Sequence, residues 1–226
     1  MLALAAVLTA ASVHPVALSV SPARSVLRAP SSRTLQLSNL GAQPVAVELA
    51  WSPIGAGWLG VTPRHLLLAS GAHAIVTVRA GATASPGDHE AVVFATGRPT
   101  TRGRVALRLR VGVHVRVRAP GRLVHRLALE GLRARRLKRT RTLLVAVANR
   151  GNVTEQLRAR LSVILMSHER VISRLRLGRF HELYPGAEGV VALRYRGGTR
   201  GLVTAVVTLR LGAHRRPLER RFRLTL

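Results

Sequence analysis

The 226-residue sequence contains no cysteine, so no disulfide can pin its sheets together and no thiolate metal site can form. It has seven aromatic residues, Trp51, Trp58, Phe94, Phe180, Tyr184, Tyr195 and Phe222. That is too few to stack a run of bases, and it leaves any core to aliphatic side chains. Acid is scarce as well, with one aspartate, Asp88, and eight glutamates, and Lys138 is the single lysine among 36 basic residues. Outside residues 2–13 no apolar run is long, and none reaches the roughly 20 residues a membrane helix needs. His-Glu-x-x-His, Gly-x-Ser-x-Gly, a phosphate loop and a dinucleotide fingerprint are all missing. Without a convergent acid, base and nucleophile the chain reads as a non-enzyme, and no catalytic residue, metal site or cofactor is expected.

What is present says the same thing twice. Leu35-Gln36-Leu37-Ser38-Asn39-Leu40-Gly41 is followed, 32 residues past the Asn, by Gly71 and the run Ala74-Ile75-Val76-Thr77-Val78. Val145-Ala146-Val147-Ala148-Asn149-Arg150-Gly151 is followed, 37 residues past its Asn, by Gly186 and Val190-Val191-Ala192-Leu193. Gly87 and Gly201 then fall 16 and 15 residues further on. One unit of about a hundred residues used in tandem explains the pattern.

Each unit reads as strands. Asn-x-Gly between apolar runs is turn chemistry, since Asn tolerates positive φ and Gly has no Cβ to clash there. Over residues 105–118, Val105, Leu107, Leu109, Val111, Val113, Val115 and Val117 alternate with polar or small residues, a period of two that no amphipathic helix can hold. Residues 155–165 fit helix or strand by spacing, and the repeat favours strand, because residues 44–51 carry Val45, Val47 and Leu49 at strand spacing. The expected fold is all-β, two tandem immunoglobulin-like β-sandwich domains over residues 16–118 and 121–226, divided near Ala119-Pro120-Gly121. Residues 1–15 read as a signal peptide or apolar tail, with cleavage between Ser12 and Leu18, although no positive flank precedes the apolar run. Export to the periplasm, cell wall or exterior follows from that reading, and no transmembrane helix unless the apolar head is retained.

The net charge of +27 is unevenly spread: residues 1–112 hold 10 basic and 3 acidic residues, whereas 113–226 hold 26 and 6. Six cations crowd into nine residues at Arg133, Arg135, Arg136, Lys138, Arg139 and Arg141, enough to hold an anionic polymer by counterion release. The same stretch also reads as a solvated loop and charged strand edge. The near-total use of Arg over Lys matches the codon bias of a GC-rich genome, and the lack of stacking aromatics argues against nucleic acid as the partner. Asp88-His89-Glu90 would place its two acids on one strand face with the histidine opposite, a turn-and-edge arrangement and not a metal site. His168-Glu169 and His181-Glu182 read as surface pairs on strands.

Val20-Ser21-Pro22-Ala23-Arg24, Leu35 to Asn39, Val61-Thr62-Pro63 and Ser85-Pro86-Gly87-Asp88 resemble, in order and spacing, the amino-terminal domain of the periplasmic pilus chaperones. They also resemble the immunoglobulin-like domains of Gram-positive and actinobacterial surface proteins, including the peptidoglycan-binding domain of WxL proteins. The second domain, with Ala148-Asn149-Arg150-Gly151-Asn152 and Tyr184-Pro185-Gly186, resembles the wall-associated group more closely. The chaperone resemblance implies a strand edge offered to a partner, here Leu107, Leu109, Val111 and Val113, and a basic pair that anchors the partner's terminal carboxylate, by motif Arg24 and Arg110. The family has Lys at the second position. The expected function is therefore a non-enzymatic, exported cell-envelope binding or structural protein, engaging a wall polymer or an envelope protein. The alternative is a pilus-chaperone-like assembly factor that binds a partner strand by β-augmentation.

Overall fold

The computed structural model describes residues 16–82, 85–100, 107–137, 140–158, 160–178, 181–210 and 216–226. The apolar head of residues 1–15 lies outside them, and of the expected cleavage region, between Ser12 and Leu18, only residues 16–18 are described. The described residues form strands, with a single 3₁₀ turn at Pro53–Gly55. No helix among them is long and apolar enough to cross a membrane. Contacts divide the chain into two compact units, Met1–Ala84 with His89–Ala119 and Ser85–Asp88 with Pro120–Leu226.

In the first unit β1 (Leu18–Ser21), β3 (Ser31–Asn39), β7 (His73–Ala80) and β5 (Leu59–Thr62) form one sheet in the order β1-β3-β7-β5. The facing sheet runs β2-β9-β8-β4-β6, from β2 (Arg24–Arg28), β9 (Leu109–Ala119), β8 (Gly87–Pro99), β4 (Val45–Trp51) and β6 (His65–Leu68). Between them lie Leu35, Leu37, Val45, Val76, Val78, Val93 and Val115, each under 3% exposed. At about 1.5–3 kcal/mol per buried aliphatic side chain this row dominates the favourable side of folding. Trp51 and Trp58 pack at the margin of that core, so the aromatics flank an aliphatic centre as their scarcity implies.

The second unit carries β10 (Leu127–Leu137), β11 (Thr140–Asn149) and β16 (Glu188–Tyr195) in one sheet, and β14 (Arg170–Arg176), β13 (Leu161–Ser167), β17 (Leu202–Leu209) and β18 (Leu218–Thr225) in the other. The short β12 (Glu155–Gln156) and β15 (Glu182–Leu183) pair with each other. The order β14-β13-β17-β18 repeats β6-β4-β8-β9 of the first unit, and β11-β16 repeats β3-β7. Both units are immunoglobulin-like sandwiches on one plan.

The repeated Asn and Gly residues show why the plan is visible in sequence. Asn39 and Asn149 are both 0% exposed. Asn39 donates from Nδ2 to the carbonyls of Gln43, Leu68 and Ala69, and Oδ1 accepts from Gly41 N–H. Asn149 repeats this with Val153, Leu183 and Gly151. The backbone N–H of Asn39 donates to Ala72 O, that of Asn149 to Ala187 O, and Gly71 and Gly186 have φ of 71° and 72°. The expected reason for the Asn needs correcting: neither asparagine has positive φ. Each is kept as a buried bridge that satisfies backbone groups leaving a strand end.

Three local expectations also change. The long strand begins at Leu109: Val105 and Ala106 lie outside the described residues, and Leu107 and Arg108 precede the strand. Residues 155–165 hold two strands, β12 and the start of β13, instead of one. His168 and Glu169 are not on a strand but form the two-residue turn between Ser167 and Arg170, with φ of 46° and 63°. Positive φ at both central residues is type I′ geometry, which favours Asn-Gly and strains residues with a larger Cβ substituent. The double variant His168→Asn/Glu169→Gly should raise stability by about 1–2 kcal/mol, read as a shift of the denaturant midpoint.

Candidate strand-binding edge

The parallel pairing of β2 with β9 sets Arg24 opposite His114, Ser25 opposite Val115, Val26 opposite Arg116, Leu27 opposite Val117 and Arg28 opposite Arg118. The pairing closes with His114 N–H donating to Ala23 O and Ala29 N–H to Arg118 O. Before Arg24 the chain belongs to the opposite sheet, where β1 pairs with β3. Pro22 sits at the crossover, with no N–H to contribute to a ladder. Among the described residues, then, Leu109–Val113 of β9 have β8 hydrogen-bonded on one side and no strand hydrogen-bonded on the other. That is an open edge of roughly 17 Å.

The apolar row along β9 changes character where the edge opens. Val113, Val115 and Val117 are at most 2% exposed, Leu109 and Val111 are half-buried, and Leu107 is 44% exposed. Of the residues expected to offer the edge, Leu107, Leu109 and Val111 are available to a partner, while Val113 belongs to the core. The opposite face of β9 is less uniformly basic than its sequence. Arg116 pairs with Glu90, and the Arg110 guanidinium lies 3.8 Å from the ring centre of Phe94, a cation–π contact.

Arg24 and Arg110 both point to that outer face, but the structure does not set them side by side. Four residues, roughly 13 Å of strand, separate Arg110 from the position opposite Arg24. The basic side chain in register with Arg24 is that of His114, and both are exposed. His114 went unmarked because a histidine in the polar row of a strand carries no signal by itself. Only the register of β2 brings it to Arg24.

The Asp88-His89-Glu90 group divides as well. Asp88, buried in the second unit, accepts a hydrogen bond from Thr154 N–H at 2.9 Å. Glu90 holds Arg116, and His89 lies 5.8 Å from Trp58, ring centre to ring centre. No cluster of three or more His, Asp or Glu is placed to hold a metal among the described residues. Of the polyanion candidates, Arg133, Arg135 and Arg136 are exposed on β10, the edge strand of its sheet, and Arg141 is half-buried on β11. Lys138 and Arg139 lie outside the described residues.

No family model and no curated protein matches the sequence. Solved structures do. The class 5 fimbriae chaperone CfaA is similar over 91% of this chain and 98% of its own, at 12% identity and a TM-score of 0.56. A chain from a chaperone–tip adhesin complex of CFA/I fimbriae biogenesis is similar over 91% of this chain and 98% of that one, at 12% identity and a TM-score of 0.54. The YadV chaperone gives 92% and 99%, at 14% identity and a TM-score of 0.50. The wall-binding likeness finds no support among these three. The likeness spans both units, the second included, and it shows that the chain has the fold of the two-domain pilus chaperones.

Proposed function

We propose that this protein is a non-enzymatic, exported assembly factor that binds an extended segment of an envelope protein along the open edge of β9. The observation that carries the reading is the half-covered strand: β2 stops at Arg24, and from there the apolar row of β9 turns from buried to exposed. An added strand would pair with the free backbone groups of Leu109–Val113, and Leu107, Leu109 and Val111 would enter its apolar face. Arg24 and His114, in register where the edge begins, are placed to receive a carboxylate. The chaperone fold supports this over a wall-polymer module, for which nothing comparable in the first unit speaks.

The test is capture of envelope proteins by the purified chain and its variants. Arg24→Ala, at an exposed position, should leave thermal unfolding within a few degrees of wild type, and Leu109→Lys, at a half-buried one, should cost no more than about 1–2 kcal/mol and leave the first unit folded. Both should weaken capture of the same partner. His114→Ala should act with Arg24→Ala, and Arg110→Ala should have the smaller effect. Capture that survives Leu109→Lys unchanged would show that the edge is not the binding surface.

A further inference from the structure

The sheet β10-β11-β16 has two unlike ends. At one, Arg150 is held by the carboxylates of Glu130 and Glu188, at 3.1 and 2.7 Å. At the other end, none of the described cross-strand partners is an acid. Along β11, Leu143, Val145 and Val147 face the core, and Arg141 shares their side of the strand. The cross-strand row Ala134, Leu143, Leu193 is the last with an aliphatic centre, and the next row is Arg136, Arg141, Tyr195. The inner face of the sheet thus ends in a row that joins two arginines to Tyr195, which is 3% exposed and part of the core.

The chain after β16 folds back over that row. Arg141 donates from its guanidinium to Thr199 O, which ties the loop down. Gly197 lies so close to the Tyr195 hydroxyl that a Cβ there would come within 2.2 Å of it. This close approach brings Arg196 and Arg200 beside Arg136 and Arg141 around a cavity of about 570 Å³. The acids of the second half of the sequence are Glu130, Glu155, Glu169, Glu182, Glu188 and Glu219, and none of them lines it. Four arginines line the cavity, and no carboxylate does.

We infer that this cavity is a binding site for a compact, phosphate-bearing oligoanion. Guanidinium forks match phosphate oxygens in bidentate pairs. The cavity falls in the range of small-ligand sites and is too large for one phosphate, and four positive charges are balanced by two or three phosphate groups together. An anion bound there engages the folded state alone, so it should also stabilise the second unit. The site goes beyond strand capture and is independent of β9, so either can fail alone.

The probe is sodium tripolyphosphate titrated calorimetrically into the full chain at fixed salt. Saturable binding with one ligand per chain is expected. Arg196→Gln/Arg200→Gln, both exposed, should weaken it about tenfold or more. The control Arg174→Gln/Arg176→Gln removes the same charge from exposed positions on β14 and should change it less than twofold. Equal weakening by the two pairs, or binding that never saturates, would mean diffuse attraction to net charge and would overturn the site. Tricarballylate, with carboxylates in place of phosphates, should bind more weakly; equal affinity would overturn the assignment to phosphate. Loss of tripolyphosphate binding with envelope-protein capture intact would separate this site from the edge on β9.

Discussion

Asn39→Leu is expected to lower the stability of the first unit by about 3–5 kcal/mol, and Asn149→Leu to do the same in the second. Each amide is fully buried at the end of a strand, and each uses both its donor and its acceptor on backbone groups from two separate stretches of chain. Leucine has similar bulk but no polar atom, so the carbonyls of Leu68 and Ala69, or of Leu183 and Val153, would lose the partner that lets them stay dry. Leaving a buried polar group unsatisfied costs about 1–3 kcal/mol, and several are left at once. Asn39→Asp should fare no better, because it faces three carbonyl oxygens with a charged acceptor. Urea denaturation followed by a tryptophan signal isolates the effect, since Trp51 and Trp58 are both in the first unit. Asn39→Leu should move that transition strongly. A shift under about 1 kcal/mol would mean the amide is a bystander.

A second large effect is expected from Val113→Lys, which should unfold the first unit or cost more than about 4 kcal/mol. Val113 is 2% exposed among core side chains that include Val115 and Val93, and a lysine there has no acid to meet and no route for its ammonium to water. Four residues earlier on the same face of the strand, Leu109→Lys leaves the charge at a half-buried site and should cost about 1–2 kcal/mol. The contrast along one strand is the measurement: circular dichroism and thermal melts of the two variants side by side. Equal destabilisation would show that the edge of β9 is covered throughout, and strand capture would lose its basis.

Much of this architecture can be read directly from the residues. The strand repeat is legible because Asn39, Gly71, Asn149 and Gly186 do jobs that few other residue types can do, a buried amide bridge and a left-handed turn. The apolar row of β9 is legible because a period of two has no other structural meaning. The edge itself is not, since openness depends on which strand lies alongside, and β2 comes from some ninety residues earlier. Arg24 is marked by motif, whereas its neighbour His114 emerges only from the parallel register. The turn at His168-Glu169 was within reach: exactly two residues separate the apolar runs of β13 and β14, a hairpin spacing that their lack of Asn or Gly conceals. The cluster of Arg136 and Arg141 with Arg196 and Arg200 joins stretches about sixty residues apart, and no local pattern signals it.

The two units build their first strand differently, and that difference makes a length scale. In the second unit β10 runs unbroken beside β11 from Leu127 to Leu137. In the first, the same path is cut at Pro22, and the chain spends its first half on one sheet and its second on the other. Where the proline stands therefore fixes how much of β9 is paired within the protein itself and how much is left open. Moving Pro22 two positions toward the carboxyl terminus would lengthen the free stretch by about two residues, roughly 7 Å, and moving it the other way would shorten it by as much. A single residue thus sets the length of the open stretch of β9, adjustable in steps of one pleat without rebuilding either sheet.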